Sequence, residues 1–394
     1  MPIKLLWYGD SAVTHTGFAT VARNVLSGLL KTYPDEYEVV QLGLSHHPYV
    51  KYDHSLYPFE IVPPCGDSDS AALRTFCDMY KPDLLIMNHD LWITKFATDD
   101  VFSKRDFPIA FYQPIDGVTA TGGVPLAWQE VIRKQDFTIT YAEWARNAYM
   151  RTCPDMAERI LCISHGVDTK LYHPEPQVRQ ANTSGNIIIG MVAMNQYRKD
   201  HPTLMRAVSK VIKQIPNIQL YMHCPAVTKI GFDLKQLATD YGIADVLMDV
   251  AVDDNKVSDG AVVPLCDMPG IYNMFDIHVL STTGEGFGLP HAEAMACGVP
   301  SLATDYTTLS DLMPFEWQRV AVSDYRPLHN IPLQRALTSP DSMAEKIINL
   351  CNMSADEREQ LGLQCREWIK RYDWSNIIPV WHMNIQNMVN QGRI

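Results

Sequence analysis

No stretch of about 18 apolar residues occurs in the 394-residue chain, which excludes a membrane-spanning helix. Cys-x-x-Cys is missing too. The nine cysteines are odd in number and scattered from Cys65 to Cys365, without the spacing of a zinc site or a disulfide framework, and read as reduced, mostly buried thiols. The 13 histidines include no His-Glu-x-x-His, although His46 and His47 are adjacent, so a structural metal is not expected. Positive charge is scarce: 33 Lys and Arg stand against 45 Asp and Glu. The net charge of −12 argues against broad attraction to nucleic acid or anionic lipid and leaves room only for a local basic groove. The opening MPIKLLWYGD reaches Gly9 and Asp10 too early for a signal-peptide core and reads as a buried first strand, from which a cytoplasmic protein is expected.

What the chain does hold is two series of alternating strands and helices. Its length suffices for two domains, and its 46% apolar and 20% charged residues fit a globular protein. The first series has strands near 3–8, 37–42, 83–88, 108–112, 137–141 and 159–163, with helices such as 18–31 and 69–80 between them, the pattern of a parallel sheet. After the polar segment HGVDTKLYHPEP at 165–176 it restarts, with strands near 187–193, 218–223, 246–250, 276–280 and 300–303. A linker is therefore placed near 165–185. Ser354 and Glu357 make a Ser-x-x-Glu capping box for a charged helix over 357–371, and 374–390 begins an amphipathic pattern expected to break at Pro379.

Residues 276–305 read DIHVLSTTGEGFGLPHAEAMACGVPSLATD: a buried strand, a glycine-rich turn, a short helix and a second strand. Gly284, Gly286 and Gly288 allow close approach of backbone to a ligand, and Pro290 suits a first helical turn. Free N–H groups and the positive end of the helix dipole favour phosphate there, while Glu285 on the loop and Glu293, expected in the first turn, can accept hydrogen bonds from sugar hydroxyls. Phosphate together with a polyol points to a nucleotide sugar. Each feature alone also fits an ordinary strand-to-helix turn.

The whole string is more specific. EGFGLP followed by EAMACGVP resembles the donor-binding signature of GT-B glycosyltransferases, in particular glycosyltransferase family 4, most strongly over 186–305 and in order over nearly the whole chain. The resemblance implies an α/β fold of two Rossmann-like, doubly wound parallel-sheet domains facing across a cleft. An acceptor-side domain over 1–168 would be completed by a C-terminal helix at 374–394 that crosses back to it, and 169–373 would bind the nucleotide sugar. It also implies a retaining transferase in which an arginine and a lysine, rather than a metal, hold the leaving diphosphate.

Lys199 matches that lysine; the more N-terminal arginine is replaced by Ala193 or Met194, which leaves open whether Arg198 takes its part. Two adjacent cations after a strand lie where α/β sheets bind ligands. With backbone amides of Gly286, Phe287, Gly288 and Leu289 they would stabilise charge on the leaving diphosphate. Glu285 would hold the transferred sugar and Glu293 the ribose diol. In the first domain the strand-to-helix turn GDSAVTHTGFAT offers Gly17, with His15 and Thr16 as weaker candidates, and strand ends offer His89 with Asp90, and Gln113 with Asp116. Asp116 either orients the acceptor or belongs to an Asp-Gly turn; His89 is either catalytic or a satisfied structural histidine. The loop 44–58 gathers three histidines and three tyrosines, either an acceptor surface or a packed loop.

The expectation is thus a retaining, metal-independent transfer of a sugar from a UDP-, GDP- or ADP-sugar to an acceptor hydroxyl, with no cofactor besides that co-substrate. A non-catalytic nucleotide-sugar-binding protein is the alternative; a dinucleotide oxidoreductase is disfavoured because neither domain-opening βα unit has Gly-x-Gly-x-x-Gly with an acidic residue downstream. The adjacent pairs Asp99-Asp100 and Asp253-Asp254 read as solvated turn residues rather than metal ligands. The acceptor, whether a small molecule, a glycan or lipid head group, or a hydroxylated nucleobase in DNA, and the oligomeric state are left open. Charge does not point to nucleic acid.

Overall fold

A computed structural model describes the chain except for residues 48, 50, 65–68, 181, 183, 249–264, 329–330 and 393–394. It divides into two compact units: Met1–Gly166 with Ile331–Leu333 and Trp374–Ile394, and Val167–Asn330 with Gln334–Asp373.

The first unit is built on seven parallel strands, β1 (Ile3–Asp10), β2 (Tyr37–Leu44), β3 (Glu60–Val62), β4 (Leu84–Asn88), β5 (Ile109–Tyr112), β6 (Phe137–Thr140) and β7 (Ile160–Cys162), in the order β3-β2-β1-β4-β5-β6-β7. Strands covered on both faces need apolar residues at every position, and LLIMN of β4 is buried throughout. The Gly17–Thr32 helix starts where the Thr16 hydroxyl accepts the Ala19 N–H and buries Val21, Val25 and Leu29 along one stripe. Asp69 caps the Ser70–Tyr80 helix in the same way.

The closing helix, Trp374–Gly392, also belongs to this unit and is continuous through Pro379. The expected break at that proline is therefore corrected: Pro379 is the sixth helical residue, so it removes one early backbone bond and the apolar face continues past it. That face decides the outcome. Trp381 is fully buried, 5.7 Å from the Trp7 ring and 4.8 Å from Tyr112, and Ile378 lies over Gly28, where a Cβ would come within 2.6 Å of it.

The second unit holds β8 (Ile187–Val192), β9 (Ile218–His223), β10 (Ile277–Leu280), β11 (Ser301–Thr304) and β12 (Arg319–Val320), parallel and ordered β12-β11-β10-β8-β9. An antiparallel hairpin, β13 (Val322–Pro327) and β14 (Gln334–Thr338), follows. Gly190 in β8 leaves room for the Phe275 ring, which a Cβ would meet at 2.3 Å. The strand expected over 246–250 reduces, among the described residues, to a single bridge between Leu247 and Leu220, preceded by a 3₁₀ turn at Ala244–Val246; its end lies outside the described residues. The capping box of Ser354 and Glu357 is formed, and its helix runs over Ala355–Ile369.

Candidate active site

In open parallel sheets a crevice forms at the carboxyl edge where strand order reverses. In the second unit this switch lies between β8 and β10. The loop after β8 carries Arg198 and Lys199 in a short 3₁₀ turn, Tyr197–Lys199, and the loop after β10 carries Ser281 to Gly288. The two loops are bonded to each other: the Thr283 N–H donates to Arg198 O at 2.8 Å, and the Ser281 hydroxyl to Asp200 O at 2.9 Å.

Side chains converge on Glu285. Arg198 Nη1 donates to Glu285 Oε2 at 2.7 Å and to Gly284 O at 2.6 Å, and Lys199 Nζ donates to Glu285 Oε1 at 2.6 Å. Lys199 and Glu285 are both buried. Burial alone would raise the Glu285 pKa; the Arg198 and Lys199 charges and hydrogen bonds outweigh it and hold the carboxyl down at about 2. Both cations thus converge on one carboxylate, four residues before the Leu289–Ala296 helix. Next to it, burial pushes the Asp200 carboxyl up to about 6.

That helix starts after Gly288, whose φ of 101° lies in the region natural to glycine, as does the 157° of Gly284; Gly286 is not among the positive-φ glycines. Phe287 is buried and Leu289 and Pro290 open the helix. Glu293 is its fifth residue and so sits in the second turn, which corrects the expected first-turn position; Gly288 ends the loop one residue before Leu289. Its Oε2 accepts the Tyr272 hydroxyl at 2.6 Å. Burial, then the Glu293 charge, raises the Tyr272 pKa far above its ordinary value, so that hydroxyl stays a donor.

In the first unit the order reverses between β1 and β4, and the loops there bring His89 to Asp10. His89 Nε2 lies 3.4 Å from Asp10 Oδ1, its Nδ1 accepts the Asp90 N–H at 2.8 Å, and Phe18 stacks on the ring at 4.2 Å. Burial raises the Asp10 pKa, but hydrogen bonds from His89 and from Thr16, the latter 2.5 Å long, bring it below the usual value. Gly17 opens its helix, exposed and without a positive φ, and His15 is exposed beside it. Asp116 is half-buried on the loop after β5. Gln113 is fully buried and its amide donates to Gln135 at 3.2 Å, a contact of the sheet interior. In the loop 44–58, Tyr52 is the packing centre: its hydroxyl accepts the Ile61 N–H at 2.9 Å and its ring meets those of His46, His54 and Tyr57.

Sequence reasoning missed Asp10, Tyr272 and two threonines after β11. Thr307 Oγ1 accepts the Glu285 N–H at 2.9 Å, and Thr308 Oγ1 donates to Gly286 O at 2.7 Å. Their signal was position: hydroxyl residues just past a strand end, one strand over from the glycine-rich turn. One string was overlooked as well. Asp67-Ser68-Asp69 is an Asp-x-Asp; Asp69 spends its carboxylate on the N–H groups of Ala71 and Ala72, while Asp67 and Ser68, like Asp253 and Asp254, lie outside the described residues.

The fold is that of GT-B glycosyltransferases. Sucrose-phosphate synthase from Thermosynechococcus elongatus superposes with a TM-score of 0.73 at 16% identity, covering 99% of this chain and 100% of that one. HepE of Anabaena, in complex with UDP and glucose, does so with a TM-score of 0.68 at 14% identity, covering 98% and 99%. Within the chain, residues 186–352 match the family described as glycosyl transferases group 1. The lipopolysaccharide core mannosyltransferase LpsB of Rhizobium meliloti is 26% identical over 159 residues, 38% of this chain and 42% of that protein. The serotype-specific mannosyltransferase WbdA of Escherichia coli is 32% identical over 72 residues, 18% of this chain and 9% of that protein. The chain thus spans less than half the length of either relative. The matched family, the relatives and the solved structures are all glycosyltransferases by their descriptions or share that fold.

Proposed function

We propose that the protein is a retaining, metal-independent glycosyltransferase that moves a sugar from a nucleoside diphosphate sugar to an acceptor hydroxyl, in the cytoplasm and without a further cofactor. The observation that carries this reading is the convergence of Arg198 and Lys199 on Glu285 at the switch point of the second sheet, beside a helix N-terminus. A diphosphate arriving there meets a buried lysine and a partly exposed arginine, both held in place by Glu285, an arrangement that stabilises charge developing on a leaving group. Glu285, held ionised by the same cations, accepts hydrogen bonds from the hydroxyls of the transferred sugar. Glu293, oriented by Tyr272, accepts those of the ribose. The departing phosphate oxygen takes the acceptor's proton on the same face, which retains configuration without a covalent enzyme intermediate. Asp116 is assigned the acceptor hydroxyl and His89 a supporting part. UDP-sugars are the first donors to try, because HepE is described with UDP and glucose.

The test is a thermal-shift screen of UDP-, GDP- and ADP-sugars, then release of free diphosphate from the best donor with pools of small-molecule, glycan and hydroxymethylated-base acceptors. Release that depends on an acceptor supports the transferase. Tight donor binding with no release in any pool overturns it in favour of a nucleotide-sugar-binding protein.

A further inference from the structure

Thr307 has φ 59° and ψ −146°, a combination close to glycine's own region and costly for a β-branched residue. It is fully buried and directly precedes the Thr308–Leu312 helix. Strain of this kind persists only where surrounding contacts hold it, and here the contacts can be named. The Thr307 hydroxyl donates to its neighbour Tyr306 O at 2.6 Å and accepts the Glu285 N–H at 2.9 Å. One residue on, Thr308 donates to Gly286 O at 2.7 Å. The two threonines therefore grip the Glu285–Gly286 backbone from its N–H side and its C=O side. Glu285 is the residue whose two carboxylate oxygens are taken by Lys199 and Arg198, so a shift of its backbone moves both ion pairs together.

We infer that Thr307 is a positioning residue for this site: it accepts a glycine-like backbone so that its hydroxyl can fix Glu285, and through Glu285 the placement of the two cations and of the transferred sugar. The inference rests on the reading of the site as a sugar-nucleotide site. A simple filler of space would not need the conformation, because glycine occupies it without cost and alanine or threonine do not.

Three variants separate hydroxyl from backbone. Thr307→Ser keeps both the hydroxyl and the strain, Thr307→Ala keeps only the strain, and Thr307→Gly removes both. Turnover of the donor found by the screen, affinity for the intact nucleotide sugar and for its nucleoside diphosphate by calorimetry, and melting temperature are measured on all four proteins. Serine is expected to turn over within about twofold of wild type. Alanine and glycine are both expected to fall by on the order of 10- to 100-fold, the range reached when reacting groups are displaced by about 1 Å. Both should lose affinity for the intact donor, which meets Glu285 and the cations together, by a larger factor than for the diphosphate, which meets the cations alone. The glycine variant should nevertheless melt above the alanine variant, because only alanine retains a strained Cβ. A glycine variant as fast as wild type overturns the inference, as does a serine variant as slow as alanine, or turnover that simply ranks with melting temperature. A wild-type protein that neither binds nor uses any nucleotide sugar would instead remove the reading of the site itself.

Discussion

Glu285 is a buried carboxylate that stays ionised because two cations touch it, and the consequences can be measured. Its pKa is depressed in the folded protein to about 2, against about 4.3 in an unfolded chain. A depressed carboxylate contributes stability that is fully present above the unfolded value and is lost as pH falls towards the folded one. Wild type should therefore lose melting temperature more steeply between about pH 5 and pH 2.5 than Glu285→Gln, which has no proton to take up there. Parallel curves for the two proteins in acid calorimetry would contradict the pairing. For Lys199→Ala we predict turnover lower by on the order of 10²-fold at saturating donor, with a smaller change in donor affinity, because charge on the diphosphate is greatest in the transition state. Near wild-type turnover would remove Lys199 from the mechanism. At this scale the sequence displayed the right residue types, since glycines, a proline and two glutamates lie in one window. It did not display that Arg198 and Lys199 meet Glu285, 86 residues from the lysine, or that Tyr272 is spent on Glu293.

Elements were legible wherever their apolar pattern was unambiguous. Strands such as LLIMN and IIIGMV are buried on every residue because helices cover both faces of a parallel sheet, so they stand out as continuous apolar runs. The helix start at Ser354 was equally plain, being set by a local capping box, whereas the cap at Thr16 came only with the structure. Pro379 misled, because a local rule about proline competes with a long-range gain: the helix that crosses it buries Trp381 between Trp7 and Tyr112. We predict that Trp381→Ala lowers the stability of the protein by about 3–5 kcal/mol, the usual cost of emptying a fully buried aromatic site. Denaturant unfolding checks this, and a loss under about 1 kcal/mol would mean that the helix is not the closing wall of the first unit's core.

For the molecule as a whole, transfer should persist in excess chelator, because Arg198, Lys199 and the amino end of the Leu289–Ala296 helix together offset diphosphate charge. The measurement is product formation before and after exhaustive chelation; complete loss restored by Mg²⁺ or Mn²⁺ would transfer that role to a metal. Composition and pattern by themselves determined two parallel α/β units, a glycine-rich strand-to-helix turn in the second, and an acidic chain with adjacent cations, Arg198 and Lys199, in the loop after the second unit's first strand. Those features depend on windows of a few to some twenty residues, over which burial period and capping act. Tertiary structure alone decided the order of the strands, and with it the reversal between β8 and β10 that gathers Arg198, Lys199 and Glu285 at one edge. It also decided that Thr307 would take up a strained backbone to hold them there. Strand order and side-chain convergence are set by contacts between segments far apart in the chain, where packing and charge pairing act between strands already brought together, and no window of sequence carries that information.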